Sequence, residues 1–234
     1  MKKLNWPFLT SIRKLTKRLP RLIRNRKLHK LLKKNCPSNW SLKIFIFDVE
    51  TLGKKSSATI LSMAAVHFDP IEKPSFEKMK KDSFFVKLNA KDQLTRLKRS
   101  ITKSSVDWWD KQCDNVKNKS FKPHENDVLF EDGYEMLRAW SKSFNDNKSW
   151  VWARGNLDQL VMDDIEEQLG LDPVFSYSRW RDVRTAVDIF YETENGYVDV
   201  NYPGFNSELL ITKHDPVDDC LLDAMMLLYG NKPK

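Results

Sequence analysis

The sequence predicts an α/β domain in which a mixed β-sheet is flanked by helices. Three apolar segments suited to strands come first, helix and strand then alternate, and the chain closes with a helix. The 234 residues are enough for one sizeable core, and 8 Trp and 13 Phe supply large apolar side chains for it. We therefore expect one folded domain, residues 42–234, preceded by a basic segment, residues 1–41.

The strands are predicted from short runs of apolar residues. LKIFIFD (42–48) suits a strand that is buried on both faces, because it lacks a polar alternation. ATILSMAAVHFDP (58–70) and DSFFVKL (82–88) predict the next two strands, and KSWVWAR (148–154) predicts one more.

The helices are predicted from apolar periodicity and from capping residues. We expect four helices, within residues 104–112, 127–144, 155–170 and 216–229. Gly133 weakens the second of them, whereas Gly170 is a suitable end for the third. Asp215 is a good N-cap and Pro216 a good first residue for the last helix, which stops at Gly230.

Charge is unevenly distributed along the chain. The net charge is +8, but residues 1–35 contain 13 Lys or Arg and no acid, so the remainder has 27 bases against 32 acids. Apolar residues recur at helical spacing among these bases, and Pro20 interrupts them, so we expect a basic N-terminal helical arm in two short pieces. Such an arm suits nucleic acid or, through its apolar stripe, an anionic membrane surface.

Composition also excludes several classes of protein. Cys36, Cys113 and Cys220 are odd in number and far apart, which argues against a disulfide framework and favours the cytoplasm. No Cys or His pair has the spacing of zinc ligands. No apolar run approaches the roughly 18 residues of a membrane span. No pattern indicates the oligomeric state.

Two carboxylates end the first predicted strand. Asp48 and Glu50 are two residues apart, so both side chains point to one side of the strand while Val49 points to the other. Two carboxylates this close raise each other's pKa unless a cation lies between them. Oxygen ligands on a rigid strand suit Mg²⁺ or Mn²⁺.

Two further carboxylates and a histidine lie at predicted helix starts. Asp158 falls in the first turn after Asn156, Asp219 falls near the first turn of the last helix, and His214 lies on the preceding loop. Taken singly, each acid has a simpler interpretation as a helix-start residue, because the helix dipole stabilises a negative charge there. Three neighbouring acids are interpreted as solvated helix residues: Asp163, Asp164 and Asp218.

Taken together, three segments resemble the motifs of a known superfamily. FDVETLG (47–53), GNLDQLVMDD (155–164) and HDPVDDC (214–220) resemble, in that order, the motifs of the DEDD 3′-5′ exonucleases. The spacing of His214 to Asp219 matches the DEDDh branch. ATILSMAAVHFDP, ITKSSVDWWDKQ and RWRDVRT add a similarity to the phage-type exodeoxyribonuclease A family. The resemblance extends from Lys43 to Tyr229 and leaves the arm outside it.

The resemblance implies a ribonuclease H-like fold and a metal-dependent site. Asp48, Glu50, Asp158 and Asp219 would hold two ions, Mg²⁺ or Mn²⁺, and His214 would act as the general base. The implied activity is hydrolysis of phosphodiester bonds of single-stranded DNA from the 3′ end, with release of nucleoside 5′-monophosphates. A phage origin would place it in the host cytoplasm.

Three alternatives to this function stay open on the sequence. The same site cuts RNA in the superfamily, so an exoribonuclease is one of them. A catalytically inactive nucleic-acid-binding module is another, although it would not need four intact acids and the histidine. The third is a membrane-surface protein defined by its arm.

Five residues are predicted to contact the substrate: Thr51, Leu52, Trp108, Trp109 and Arg181. Thr51 and Leu52 follow the metal pair, and Leu52 would wedge against the last base or belong to the core. Trp108 and Trp109 lie about 100° apart on a helix, so one can be buried while the other is free to stack on a base. Arg181 would bind phosphate or form an ion pair with Asp182.

Overall fold

A mixed sheet of five strands is the centre of the fold. The computed structural model describes residues 43–144 and 149–231. The strands are β1 (Ile44–Thr51), β2 (Ile60–Phe68), β3 (Phe84–Lys87), β4 (Trp150–Ala153) and β5 (Trp180–Asp182). Their order is β3-β2-β1-β4-β5, with β2 antiparallel to both β1 and β3, and β4 parallel to both β1 and β5. The predicted mixed sheet is confirmed, whereas the predicted arm, residues 1–41, lies outside the described residues.

Helices cover both faces of the sheet. In chain order they are α1 (Phe76–Lys81), α2 (Ala90–Thr95), α3 (Lys103–Asp110), α4 (Asp114–Val116), α5 (Phe130–Lys142), α6 (Leu157–Leu169), α7 (Val183–Tyr191), α8 (Ser207–Leu210) and α9 (Pro216–Tyr229). A π-helical turn (Lys117–Phe121) continues α4, a 3₁₀ turn (Tyr177–Arg179) precedes β5, and β6 (Asp199–Val200) pairs with β7 (Gly230–Asn231). Within the described ranges, no helix combines the length and apolarity needed to cross a membrane.

The first half of the central strand β1, residues 44–47, is apolar because it packs on both faces. Phe45, Phe47 and Val49 face the core formed with α5 and α6. Ile46 faces the opposite core, formed with α7 and α9. Side chains alternate along a strand, so the next residues on the face of Ile46 emerge on the side of α9.

Glycines mark a close contact and a helix end. Gly133 allows α5 to approach the sheet, because a Cβ atom there would lie 2.6 Å from Cδ2 of Leu88. The residue that weakens the helical pattern is therefore required by packing. Gly170 ends α6 with a left-handed φ of 63°, as its position in the sequence predicts.

Arg99 attaches the loop between β1 and β2 to α6. Its guanidinium donates to the carbonyl oxygens of Ser56 and Ala58 and forms an ion pair with Asp164, and 1% of its side chain is exposed. The loop and the helix are thus held by one buried cation. The interpretation of Asp164 as a solvated acid is wrong, since its carboxylate is the partner of this arginine.

Candidate active site

Carboxylates from β1 and α9 meet at the end of the central strand. Asp48 and Glu50 continue the face of Ile46, and α9 packs against that face. One carboxylate oxygen from each of Asp48, Glu50 and Asp219 lies within 4.8 Å of the other two. The structure therefore brings together three of the four acids predicted as metal ligands in one small cluster.

The fourth acid reaches the same place through the parallel strand β4. Because β4 runs parallel to β1, the segment that follows it begins at the same edge of the sheet. Asp158, in the first turn of α6, accepts a hydrogen bond at Oδ1 from the Val49 amide at 3.0 Å and is 6% exposed. Its carboxylate is thus fixed to the main chain between Asp48 and Glu50.

The four acids are electrostatically unfavourable as an isolated group. Burial, followed by the charges of neighbouring carboxylates, raises the pKa values of Asp48 and Glu50 well above the usual range. Burial likewise raises the pKa of Asp158 to about 6 and that of Asp219 to about 7. A buried cluster that offers only carboxylate oxygens is the donor set that hard divalent cations prefer. The residues present therefore fit a divalent metal site.

A fifth carboxylate and an arginine border this cluster, and neither is among the residues predicted from the sequence. Asp223 lies one helical turn after Asp219, is 6% exposed, and raises the pKa of Asp219. Arg154, directly after β4, donates from Nε to Asp223 Oδ1 at 3.1 Å and stacks over Tyr197 at 4.2 Å. The i, i+4 spacing on α9 is the sequence signal that indicates Asp223, and the position of Arg154 directly before the second motif is its only signal.

His214 lies beside the carboxylates on the loop that precedes α9. Its main chain is left-handed, with φ at 66°, and its amide donates to Asp219 Oδ2 at 3.1 Å. The imidazole contacts the ring of Trp108, with centroids 4.7 Å apart and planes at 81°. Burial, and then the charge of Lys213, lowers the pKa of His214 below its usual 6.5. The imidazole is therefore neutral near pH 7 and able to accept a proton.

The acids at the start of α9 hold this loop rather than facing solvent. Asp218 is 5% exposed and accepts from the Thr212 amide and from Lys80 Nζ, both at 3.0 Å. Asp215 caps α9 and pairs with Lys119. The prediction that Asp218 is a solvated acid is wrong, because its buried carboxylate satisfies a loop amide.

Of the predicted substrate contacts near the cluster, two are core residues. Leu52 is 4% exposed and Trp109 is 1% exposed, and both belong to one apolar cluster. These two predictions are corrected, because a side chain enclosed in the core has no surface to offer a base. Thr51 is half-buried and donates its hydroxyl to the Gly53 carbonyl at 2.7 Å. Trp108 is 39% exposed and lies next to His214.

Arg181, on β5, lines a surface pocket together with Gly155 and Asn156. Its guanidinium stacks on the ring of Trp150 at 3.9 Å. Trp150 pairs with Ile44, four residues before Asp48, which is about 13 Å along a strand. The alternative prediction is an ion pair between Arg181 and Asp182. The carboxylate of Asp182 instead caps α7, and this cap orders the segment. The prediction that Arg181 contacts phosphate stays a prediction.

A family model described as the 3′-5′ exoribonuclease Rv2179c-like domain matches residues 43–229. The chain belongs to this family. It is a 3′-5′ exonuclease, a hydrolase that acts on nucleic acid, and membership implies the use of a divalent metal ion. The predicted superfamily and enzyme class are confirmed. The alternative prediction of an inactive nucleic-acid-binding module is therefore not supported.

Individual proteins are similar to this chain in sequence or in fold. An exodeoxyribonuclease of Enterobacteria phage T4 is 26% identical over 205 residues, which cover 80% of this exonuclease and 88% of the phage protein. The nuclease domain of 3′hExo, a DEDDh family member with rAMP bound, matches with a TM-score of 0.52 and 12% identity over 85% of this chain and 100% of that domain. The exonuclease spans 62% of cell-death related nuclease 4, with a TM-score of 0.43 and 15% identity. The fold is the ribonuclease H-like fold of DEDDh exonucleases.

We expect the metal-free exonuclease to become less stable as the pH rises from about 4 to about 7. The folded pKa values of Asp158 and Asp219, about 6 and about 7, exceed the value of about 4 in an unfolded chain. The folded state therefore binds more protons in this window, and stability falls as they are released. Thermal unfolding in EDTA across this pH range measures the effect.

We expect Asp48→Asn to stabilise the metal-free protein at pH 8, because it removes one charge from the repelling cluster. The melting temperature should rise by about 2 °C or more, which corresponds to about 1 kcal/mol for a domain of this size. Asp132→Asn is the matched control, since Asp132 is an exposed helix acid outside the cluster. A melting temperature that is lowered in Asp48→Asn, or raised equally in the control, contradicts the electrostatic account.

Proposed function

We propose that this exonuclease removes nucleotides from the 3′ end of single-stranded DNA and releases nucleoside 5′-monophosphates. The observation that carries the proposal is the cluster of Asp48, Glu50 and Asp219 oxygens within 4.8 Å, bordered by Asp158 and His214. The choice of DNA is supported by the phage exodeoxyribonuclease, of which the chain covers 88%. A partly buried site also favours a single strand, because a duplex end has to be unpaired before it enters.

The carboxylates would hold two divalent ions, Mg²⁺ or Mn²⁺. Asp48 would be shared between them, with Glu50 and Asp219 on one ion and Asp158 on the other. When bound, the ions supply the positive charge that neutralises the phosphodiester and stabilises the leaving 3′ oxygen. Their arrival also removes the repulsion that raises the pKa values of these acids.

His214 would accept the proton of the attacking water, and Asp219 would keep His214 in position. A neutral imidazole nitrogen of His214 accepts the proton of the attacking water as its oxygen bonds to phosphorus. The bond from phosphorus to the 3′ oxygen breaks, and that oxygen takes a proton from solvent water, which leaves a 3′-hydroxyl on the shortened strand and a free 5′-monophosphate. Asp219 binds the His214 amide and so keeps the base beside the acids.

RNA is the second candidate substrate. The family description names an exoribonuclease, and the DEDDh nuclease domain of similar fold has rAMP bound. The acids that neutralise a phosphodiester act equally on both sugars, so the preference depends on a donor or acceptor for the 2′-hydroxyl.

The proposed organisation is an arm, residues 1–41, that binds nucleic acid and an exonuclease domain, residues 42–234. Residues 1–35 carry 13 bases, whereas the rest of the chain has 27 bases against 32 acids and would repel a nucleic acid. A reducing cytoplasm, that of a host for a phage protein, suits the free thiols of Cys113 and Cys220.

We expect 5′-labelled DNA to be shortened from its 3′ end in Mg²⁺ or Mn²⁺, faster than RNA of the same sequence. EDTA should stop the reaction, and Asp48→Ala should abolish it at saturating metal, because the shared ligand is lost. A labelled ladder resolved on a gel reads the direction. Faster shortening of the RNA would mean that the enzyme is an exoribonuclease. Normal cleavage by Asp48→Ala would refute the assignment of the metal site.

We expect His214→Ala to lower the cleavage rate by about 10²–10⁴-fold without abolishing it. In the wild type the rate should rise with pH up to and through the lowered pKa of His214, because only the neutral imidazole accepts a proton. This acidic limb should be absent from the pH profile of the variant. If the limb persists unchanged, another group is the base.

We expect deletion of residues 1–40 to weaken DNA binding and to flatten its salt dependence, because fewer phosphates are neutralised. Cleavage at saturating substrate should barely change, since the proposed ligands lie elsewhere. Fluorescence anisotropy over a salt series measures the slope. Unchanged DNA binding together with lost binding to anionic vesicles would assign the arm to a membrane surface.

A further inference from the structure

One helical segment contacts both the first and the third motif. Residues 103–121, which comprise α3, α4 and the π-helical turn, contact the end of β1 and the loop that carries His214. We infer that this segment is a bracket that holds the general base in place, with Trp108 and Lys119 as positioning residues. The inference rests on the proposed role of His214.

The bracket is anchored to the end of the central strand by Trp109. This side chain is 1% exposed, and its Nε1 donates to the Thr51 carbonyl at 3.1 Å, directly after the metal-binding pair. Its ring stacks on Phe121 with the planes at 9°, and Leu52 and Val116 complete the cluster. The bracket is therefore attached to the end of β1 through Trp109 and to β2 through Ser120, whose hydroxyl lies 2.9 Å from that of Ser62.

The first contact of the bracket with the base is made by Trp108. Its ring stands at 84° to that of Trp109, with centroids 5.2 Å apart, so the buried ring supports the exposed one. On its other side Trp108 meets the His214 imidazole at 4.7 Å. The main chain of His214 is held by Asp219, and Trp108 restricts the remaining freedom of the ring.

The second contact is made by Lys119 through the residue after the base. The ammonium donates to both carboxylate oxygens of Asp215 and lies over the ring of Phe85 at 4.8 Å. Asp215 in turn accepts from the Val217 amide at 3.0 Å and begins α9. Lys119 thus holds the hinge between the loop and α9. It lies on a π-helical turn, a geometry that recurs at functional sites.

A base held from two sides is pre-organised for proton transfer. A general base has to lie within hydrogen-bond reach of the water, and small misplacements cost much of the rate. His214 has a left-handed backbone with φ at 66°, which a residue other than glycine adopts only when its surroundings impose it. The two contacts supply that constraint from a part of the sequence about 100 residues away.

The experiment introduces Trp108→Ala and Lys119→Met separately, each into the wild type and into His214→Ala. In the wild type each change should lower kcat by about 10-fold and leave KM within about twofold. In His214→Ala the same changes should alter the rate by less than about twofold, because the residue through which they act is gone. Trp108→Phe and Lys119→Arg should recover most of the rate.

Lys117→Met is the matched control. Lys117 lies on the same π-helical turn, and its ammonium pairs with Asp114 at 3.3 Å instead of with the loop of His214. This variant should change kcat by less than about twofold in both backgrounds. An equal loss in Lys117→Met and Lys119→Met would mean that the turn supports the fold in general, and would overturn the inference.

A second readout is independent of catalysis. The chain has 4 His, so the ring protons of His214 can be assigned by NMR in the metal-free protein. Trp108→Ala should remove the ring-current shift of these protons, and Lys119→Met should broaden or move them, whereas Lys117→Met should leave them unchanged. Unchanged His214 signals in both bracket variants would overturn the inference.

The kinetic outcomes separate this inference from the proposed function. A raised KM with unchanged kcat, or a loss that persists in His214→Ala, would make Trp108 or Lys119 a substrate contact and overturn the positioning role. A normal rate in His214→Ala would refute the proposed base itself. The NMR readout would then still report whether the bracket orders the loop.

Discussion

The mutual repulsion of four carboxylates at the end of β1 is the constraint around which this structure is arranged. Burial and proximity raise the pKa of each acid, so the cluster opposes folding until a cation reaches it. The folded state tolerates this unfavourable electrostatic free energy because the acids lie on rigid strands and helices. The Val49 and His214 amides donate to Asp158 and Asp219 and stabilise their charged forms.

A ring of ion pairs surrounds the cluster and explains how its geometry is held. Each pair joins an acid on α6 or α9 to a cation from a distant segment: Arg99 with Asp164, Lys80 with Asp218, Lys119 with Asp215 and Arg154 with Asp223. In each pair at least one partner is largely buried, so screening by solvent is limited. Two of the three acids interpreted as solvated from the sequence, Asp164 and Asp218, are therefore attachment points of the two helices that carry Asp158 and Asp219.

The site accounts for cleavage of a phosphodiester but is indifferent to the sugar. The chain matches both a family described as exoribonuclease and a phage exodeoxyribonuclease, and both reactions need the charge of the same phosphodiester neutralised. A preference for DNA or RNA is expected to arise outside the cluster, where the 2′-hydroxyl would meet the protein. Trp108 and Thr51 are the predicted contacts that lie beside the cluster and keep some exposure, so we propose them for that contact.

Patterns within a few residues determined most of what the sequence alone could establish. The i, i+2 spacing of Asp48 and Glu50, the cap at Asp215 and the helix end at Gly170 are local, so their structure follows from backbone geometry. Only the tertiary structure decided which of two adjacent tryptophans is buried, that Leu52 is core, and that Arg181 stacks on Trp150. It also revealed Arg154 and Lys119. These outcomes depend on contacts between residues far apart in the chain, and no local spacing encodes the partner that a side chain meets after folding.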